Sequence, residues 1–209
     1  MKLYDFKGAP NPRRVRIFLA EKGISVPTQQ VDLMAREQHG DEFRAVNPWC
    51  TLPVLELDDG TCIREAMAIC RYLEATHPEP PLMGTTAIER ATIDGWEHKL
   101  EIDGLLAVGE VLRNSVDRFA GRALPGPVGH EQIPAMADRG RRRIAYFMDL
   151  LNERLGESEH VAGPDFSAAD VTALVAVDFA ARVEGGIPDG HPNVKRWRET
   201  VGARPSAQA

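Results

Sequence analysis

The sequence lacks a long apolar run and has few cysteines. No stretch of about 18 apolar residues occurs, so no transmembrane helix is predicted. The N-terminal residues MKLYDF contain no apolar segment of the kind that a signal peptide needs, which predicts a cytoplasmic protein. The three cysteines are an odd number without the spacing of metal ligands. They favour a reducing compartment over a disulfide framework or a metal site.

An excess of basic charge is also lacking. Lys and Arg number 25 against 31 Asp and Glu, and the net charge of −6 argues against a general nucleic-acid-binding protein. Four arginines cluster at positions 139, 141, 142 and 143, where a predicted helix favours a solvated face over an anion site. With 43% hydrophobic and 27% charged residues, the composition fits a globular protein of one or two compact units.

The first part of the chain alternates strand and helix signals. Residues 3–6 and 29–33 read as short strands, and between them a helix is predicted from Asn11, a good N-cap, to Gly23. Residues 52–65 predict a hairpin around the Asp59-Gly60 turn. A helix over 66–76 follows. This order predicts a small α/β domain.

Beyond the proline-rich residues 76–86, which read as a linker, strand signals almost vanish. Helical patterns cover residues 88–114, 136–155 and 193–202. A very apolar, hence buried, helix opens with Ser167 and Asp170 at the spacing of a variant capping box. The predicted fold class is therefore an α/β domain followed by an all-α domain.

Five segments in this order resemble the cytosolic glutathione transferases: NPRRVRIFLAEKG (11–23), VNPWCTLPVLELDDG (46–60), REAMAICRYLE (64–74), FSAADVTA (166–173) and ARPSAQA (203–209). The chain is similar above all to the bacterial and fungal branch that lacks the usual catalytic Tyr, Ser or Cys. The resemblance implies a thioredoxin-like domain over 1–78, with a mixed four-stranded sheet and helices, a linker over 79–86, and a C-terminal helical bundle over 87–209. It also implies a homodimer.

The function that this resemblance implies is that of a glutathione S-transferase. Such an enzyme activates its co-substrate glutathione as a thiolate and conjugates it to a small, hydrophobic electrophile, a reaction of detoxification. No metal, nucleic acid or membrane is expected to take part. Two alternatives stay open: a non-catalytic module that binds glutathione or another ligand, and a glutathione-dependent peroxidase.

Five residues match the family's glutathione-binding positions. His39 matches a histidine that grips the glycyl carboxylate in some branches. Leu52 precedes Pro53 through a bond expected to be cis, and its backbone is expected to pair with the cysteinyl part of glutathione. Glu65 is expected to pair with the γ-glutamyl ammonium group. Ala66 stands where many relatives have serine, so one hydrogen bond to the γ-glutamyl carboxylate is lost and weaker glutathione binding is predicted.

The family's usual catalytic position holds Ala9, which has neither a hydroxyl nor a thiol. The N-terminus of the first helix is expected to supply unpaired N–H groups to the thiolate, with Arg13, Arg14 and Arg16 either adding positive potential or lying solvated. Asn11 is the preferred catalytic candidate, because its amide oxygen can cap the helix while its NH2 group donates to the thiolate.

A second catalytic candidate comes from the helical domain. Ser115, or Asn114 beside it, is placed to hold a water molecule near the sulfur, and Arg113 and Asn114 are expected to border the second-substrate pocket. Helix capping and solvent contact are the alternative roles of these residues. Tyr4 is interpreted as a packed core residue, and Cys50 as a free, partly buried cysteine rather than a nucleophile.

Overall fold

The computed structural model describes residues 1–209, and its N-terminal half is built on a four-stranded sheet. The strands are β1 (Lys2–Asp5), β2 (Thr28–Gln30), β3 (Val54–Glu56) and β4 (Cys62–Arg64), and their order in the sheet is β2-β1-β3-β4. β1 pairs parallel with β2 and antiparallel with β3, which pairs antiparallel with β4, so the sheet is mixed. The helices of this half are α1 (Pro10–Glu21), α2 (Asp41–Val46) and α3 (Ala66–Thr76).

The predicted hairpin and the helix after it are confirmed. β3 and β4 pair around a turn in which Gly60 has φ 84°, a conformation that glycine adopts without steric cost. Helix α3 has the predicted bounds. Helix α2 was not predicted, because it has only six residues and buries one of them, Phe43, which leaves no periodic pattern to detect. β2 ends at Gln30, earlier than expected.

The C-terminal half is helical. Its helices are α4 (Ala87–Leu100), α5 (Ala107–Ser115), α6 (Pro134–Glu157), α7 (Ala168–Glu184) and α8 (Pro192–Gly202). The helix predicted over 88–114 is continuous, but a π-helical segment, Glu101–Leu106, separates α4 from α5. Gly104 in this segment packs so closely that a Cβ there would lie 3.1 Å from the Ala176 Cβ and from the Phe147 ring.

Buried apolar side chains from both halves form one cluster of 37 residues, so the sheet domain and the helices share a core. Helix α1 connects them, since it packs against both α3 and α7. The segment 77–86 between the halves contains no helix or strand. The buried amine of Lys22 fastens this segment, with an ion pair to Glu74 at 2.6 Å and a hydrogen bond to the Pro78 carbonyl at 3.3 Å. None of the helices is long and apolar enough to span a membrane.

Candidate functional site

The loop between β1 and α1 has fewer free backbone donors than expected. The N-cap of α1 is Ala9, whose side chain cannot cap a helix. Pro10 and Pro12 have no backbone N–H, and the N–H of Arg13 reaches the Ala9 carbonyl at 3.4 Å. In the first turn only the N–H of Asn11 has no intramolecular partner. The expected row of unpaired N–H groups is therefore wrong, and one free backbone donor remains.

The side chain of Asn11 lies within the first turn of α1 and does not cap it. The prediction of Asn11 as the N-cap is wrong, because the helix starts earlier, at Pro10. The Asn11 Oδ1 instead accepts a hydrogen bond from Nη1 of Arg14 at 3.1 Å. The amide NH2 group makes no hydrogen bond within the chain, so it is available as a donor beside the free backbone N–H.

Arg14 holds this arrangement from a buried position between α1, α4 and α7. Its Nε donates to Oγ1 of Thr172 at 2.9 Å, and its Nη2 donates to Oε2 of Glu97 at 2.9 Å. The Thr172 hydroxyl also donates to Glu97, at 2.8 Å. Burial raises the pKa of the Glu97 carboxyl to about 7, against the lowering effect of Arg14. The network fixes the Arg14 guanidinium and, through it, the Asn11 amide.

The other two arginines of α1 form ion pairs with carboxylates outside the helix. Nη1 of Arg13 lies 2.7 Å from Asp178 of α7, and Nη1 of Arg16 lies 2.5 Å from Asp5 of β1. Asp178 also pairs with Arg198, so the two guanidinium groups share one carboxylate and a net positive charge remains beside the start of α1. The interpretation of Arg13 and Arg16 as solvated surface charges is wrong, because carboxylates outside α1 meet both side chains.

The N-terminus of α3 is better equipped to bind an anion than that of α1. Residues 66–68 all have backbone N–H groups without intramolecular partners. Glu65, which precedes them, has φ 71° and an exposed carboxylate without a hydrogen bond. A positive φ at a glutamate is strained, and such strain concentrates at binding sites. This helix end can hold an α-amino acid group, with its carboxylate on the N–H groups and its ammonium on Glu65.

The peptide bond between Leu52 and Pro53 is cis, as the resemblance implied. Pro53 is buried, and β3 begins directly after it at Val54. The backbone N–H and C=O of Leu52 lie outside the strands and make no intramolecular hydrogen bond. They are therefore free to pair with an extended peptide in the manner of an added strand.

His39 ends the short 3-10 turn Glu37–His39 that precedes α2. Burial lowers the pKa of His39, and the nearby Arg36, Arg44 and Arg122 lower it further. The lowered pKa favours the neutral imidazole, which offers an N–H donor to an anion, while Arg36 and Arg44 supply positive charge nearby. Arg122 belongs to the C-terminal half, so the charge that acts on His39 comes from both halves of the chain.

Asn114 and Arg113, near the end of α5, fasten the segment that leads to α6. The buried amide of Asn114 accepts from the Ile133 N–H at 2.9 Å and donates to the Glu110 carbonyl at 2.9 Å. Nη1 of Arg113 donates to the Arg122 carbonyl at 3.0 Å. Asn114 therefore has both ends of its amide occupied by structural hydrogen bonds.

Ser115 is exposed at the last residue of α5. Its hydroxyl donates to the Val111 carbonyl at 2.7 Å, a bond within the helix that still leaves the oxygen able to accept from water. No hydrogen bond links Ser115 with Asn11 or Ala9. The structure thus does not join the two catalytic candidates, Asn11 and Ser115, by a direct hydrogen bond.

Tyr4 and Cys50 are packed as the sequence analysis expected. The Tyr4 ring is buried, and its hydroxyl donates to Glu56 on the neighbouring strand at 2.7 Å. Cys50 is also buried, and its Sγ lies 3.7 Å from the Pro48 carbonyl. No group of three or more His, Cys, Asp or Glu side chains is arranged to hold a metal ion.

Two family models match the chain: the N-terminal domain of glutathione S-transferase over residues 9–76 and the C-terminal domain over residues 120–205. Glutathione S-transferase 2 of Saccharomyces cerevisiae is 35% identical over 214 residues, which cover 100% of this chain and 88% of that protein. This chain belongs to the glutathione S-transferase family. The mixed sheet domain is therefore the thioredoxin-like domain of that family, and the predicted fold class is confirmed.

Solved structures agree with this glutathione S-transferase fold. A glutathione S-transferase domain-containing protein of Marinobacter aquaeolei VT8 has a TM-score of 0.90 and 40% identity, with 99% of each chain covered. The structure of Gtt2 from Saccharomyces cerevisiae has a TM-score of 0.90 and 34% identity, with 100% of this chain and 99% of that chain covered.

Beside the β1–α1 loop of this glutathione S-transferase chain lies a cavity of about 250 Å³. Loop residues 7–10 and Arg13 line one side, and the other side is lined by four residues of α7: Val175, Asp178, Phe179 and Arg182. The apolar pattern of α7 predicts only buried core, so the contribution of this helix to the cavity was not predicted. The charged residues Asp178 and Arg182 within this otherwise apolar helix were the sequence feature that could have indicated a cavity wall. A larger cavity, of about 370 Å³, lies between α6 and α8 and contains no residue of the thioredoxin-like domain.

Proposed function

We propose that this chain is a glutathione S-transferase that activates glutathione as a thiolate and conjugates it to small, hydrophobic electrophiles, as an alkyl or aryl transferase. The Asn11 amide carries the proposal, because Arg14 holds its oxygen and its NH2 group is free at the start of α1. A thiol is a poor nucleophile, and a donor directed at the sulfur lowers the thiol pKa. Asn11 thereby replaces the hydroxyl or thiol that Ala9 lacks.

In this proposal glutathione lies along residues 1–78. The three free N–H groups at the start of α3, with Ala66 first, bind the γ-glutamyl carboxylate, and Glu65 binds the ammonium group. The unpaired backbone of Leu52, ahead of Pro53, binds the cysteinyl part. His39, neutral among arginines, donates to the glycyl carboxylate.

The second substrate is proposed to bind against residues 87–209, which follow the linker 79–86. Arg113 and Asn114 border its pocket, and Ser115 is the remaining candidate to hold a water molecule near the sulfur. Burial and the structural bonds of Asn114 make Ser115 the better water ligand of the two, since Ser115 is exposed and its hydroxyl oxygen can still accept a hydrogen bond. This arrangement is that of the family branch without a catalytic Tyr, Ser or Cys.

The first experiment measures the thiol pKa of bound glutathione from the ultraviolet absorbance of the thiolate. Asn11→Ala is expected to raise that pKa by about 1–2 units, because a hydrogen bond to a charged sulfur is lost. Asn11→Asp keeps the shape but brings a negative charge, so it is expected to raise the pKa further. An unchanged titration in both variants would reject the role of Asn11. A rise with Ser115→Ala alone would assign that role to Ser115 instead.

The alternative is a non-catalytic module that binds glutathione or another ligand. The two prolines that remove N–H donors from α1, together with Ala9 and Ala66, favour it. Retention on glutathione resin combined with turnover of a nitroaryl chloride separates the two functions. Retention without turnover of any electrophile favours the module. Reduction of an organic hydroperoxide at the expense of glutathione, without conjugation, favours the glutathione-dependent peroxidase.

We also propose that the protein is a cytoplasmic homodimer that serves detoxification. The family to which the chain belongs supports this proposal. Sedimentation equilibrium is expected to give twice the mass of one chain. A mass equal to that of one chain at micromolar concentration removes the dimer from the proposal.

A further inference from the structure

Three arginines surround one phenyl ring at the end of α5. The guanidinium carbons of Arg113, Arg118 and Arg122 lie 5.0, 4.9 and 5.8 Å from the centroid of the Phe119 ring. Within the chain, Nη1 of Arg113 and Nη2 of Arg122 donate to backbone carbonyls, and the guanidinium of Arg118 makes no hydrogen bond. Cation–π contact holds each guanidinium to the ring, but it does not neutralise the charge.

No carboxylate compensates this arginine cluster. None of its three members forms an ion pair, although Asp117 and Glu131 belong to the same segment of the chain. Arg113 is half-buried, and burial together with the charge of Arg122 lowers its pKa. Cations gathered without a counter-charge repel one another, and burial strengthens that repulsion. In a chain with a net charge of −6, carboxylates for pairing are not scarce.

The arginines of α6, unlike those around Phe119, are mostly paired with carboxylates. Arg139 pairs with Glu110, Arg141 pairs with Asp138, and Arg143 pairs with Asp103 and Glu110. Only Arg142 has neither an ion pair nor a hydrogen bond, and it is exposed. The interpretation of this group as a surface face is consistent with these pairs. The same chain therefore neutralises most arginines of α6 but leaves a positive charge on Arg113, Arg118 and Arg122 around Phe119. We call this group the Phe119 cluster.

The cluster lies beside the proposed glutathione site. A Cβ on Gly126, four residues after Arg122, would lie 3.8 Å from the Trp49 carbonyl, and the charge of Arg122 lowers the pKa of His39. The segment after α5 thus packs against the thioredoxin-like domain. Arg113, the only member of the cluster within α5, belongs to the proposed second-substrate pocket.

We propose that the Phe119 cluster binds a carboxylate group on the second substrate, so that the preferred electrophiles are small aromatic or unsaturated acids. Guanidinium groups bind carboxylates through paired, charge-assisted hydrogen bonds, and Phe119 provides an apolar surface for the rest of the molecule. This inference rests on the proposed function. With a chloroarene acid, the thiolate sulfur bonds to the carbon that carries chlorine, chloride leaves with the bonding electrons, and the thiol proton has gone to solvent.

The test compares 4-chloro-3-nitrobenzoate with 4-chloro-3-nitrobenzamide, which share the reacting carbon and the leaving group. For each, kcat/KM is divided by the uncatalysed rate with glutathione. The normalised value is expected to be about tenfold higher for the carboxylate, the effect of one additional ion pair of about 1.4 kcal/mol. Arg113→Gln and Arg122→Gln are expected to abolish this preference, whereas Arg113→Lys keeps part of it.

Two further variants control the result. Arg142→Gln removes an exposed, unpaired arginine outside the cluster and is expected to leave the preference unchanged. Arg118→Gln removes an exposed member whose side chain makes no hydrogen bond, so it tests the cluster even where Arg113→Gln fails to fold. Equal normalised values for both electrophiles in the unaltered protein would overturn the inference, and so would a preference that all cluster variants retain.

Binding is measured separately, so that failure of the inference and failure of the proposed function are distinguished. Calorimetry with 4-nitrobenzoate and 4-nitrobenzamide, each in the presence of glutathione, is expected to show tighter binding of the carboxylate and its loss in the cluster variants. If the carboxylate binds more tightly but no electrophile is turned over, the Phe119 cluster is an anion site and the proposed transferase activity is rejected. If the amide is turned over and the two probes bind equally, the transferase activity is retained and the anion site is rejected.

Discussion

At the scale of single residues, two alanines define the proposed glutathione site. Ala9 leaves the sulfur without a donor from the usual position, and Ala66 leaves the γ-glutamyl carboxylate without a hydroxyl. Their consequences differ. In the proposed site the free N–H groups of α3 still bind the carboxylate, whereas the first turn of α1 retains only the donors of Asn11, on its backbone and its side chain.

Ala66→Ser is expected to strengthen glutathione binding. The new hydroxyl donates to the γ-glutamyl carboxylate, a charged acceptor, and adds about 1–3 kcal/mol to the binding free energy. Isothermal titration with glutathione measures the gain. Ala68→Ser, an exposed position in the same helical turn, is the matched control. Equal affinity gains in both variants would contradict a specific contact at residue 66.

The site shows how far single residues were predictable. The free NH2 group of Asn11 was predicted, but from an N-cap role that the residue does not have. Proline at positions 10 and 12 allows a helix start on either side of Asn11, because both positions tolerate a residue without N–H. The partners of Arg13, Arg14 and Arg16 were not predictable, since they come from β1, α4 and α7 through tertiary contacts.

At the scale of elements, local sequence signals were sufficient to predict the longer helices and the hairpin. Periodicity, turn residues and capping patterns placed the hairpin, α3 and the long helices near their observed bounds. The capping box at the start of α7 was predicted from Ser167 and Asp170, and both residues are now found buried. The short α2 and the π-helical segment were missed, because neither produces a periodic pattern of its own.

Asp170→Ala is expected to be severely destabilising. The fully buried carboxylate accepts from four donors: the Val161 N–H at 3.1 Å, the Ser167 N–H at 3.0 Å, the Ser167 hydroxyl at 3.3 Å and Nε1 of Trp197 at 3.0 Å. Removing it leaves these buried donors unpaired, at a cost of more than about 3 kcal/mol. Denaturant unfolding measures the loss. Asp165→Ala, an exposed residue without a hydrogen bond, serves as control, and a similar loss there would undermine the explanation.

Two glycines of the long helical run are expected to respond with opposite signs. Gly95 in α4 faces open space, since a Cβ added there would have no neighbour within 4 Å, so Gly95→Ala gains helix propensity of about 1 kcal/mol. Gly104 faces Ala176 and Phe147 at 3.1 Å, so Gly104→Ala overpacks the core and costs about 1–3 kcal/mol. Thermal unfolding of both variants checks the pair. Stabilisation by Gly104→Ala would contradict the overpacking, because it would show that the helices around residue 104 move apart to accommodate a Cβ.

At the scale of the whole molecule, the ionic network of Arg14, Glu97 and Thr172 joins the thioredoxin-like domain to two helices of the other half. Its carboxyl group gives the fold a dependence on pH. The pKa of Glu97 is about 7 in the fold, above its usual value of 4.5, so the folded state binds more protons than the unfolded state. The stability that this group contributes is complete below pH 4.5 and is lost as the pH rises through 7.

Glu97→Gln is expected to remove that dependence. Between about pH 4.5 and 7 the free energy of unfolding of the unaltered protein is expected to fall by about 3 kcal/mol relative to that of the variant. The reason is that each unit of pKa difference between the folded and unfolded states corresponds to about 1.4 kcal/mol. Denaturant unfolding at a series of pH values gives the difference. Glu101→Gln, an ion-pair partner of Arg14 whose side chain is 44% exposed, is the control. Parallel stability curves for the unaltered protein and Glu97→Gln would refute the linkage.

The shared core also determines how the molecule would come apart. Two separate family models match the halves, yet the 37 buried apolar residues form one cluster across both. A half expressed alone would expose its part of that core to water. Residues 77–81 of the connecting segment are exposed, so a recognition site for a specific protease inserted there would be open to cleavage. A single cut there is expected to leave a noncovalent pair of fragments that migrates as one species and melts in one cooperative transition.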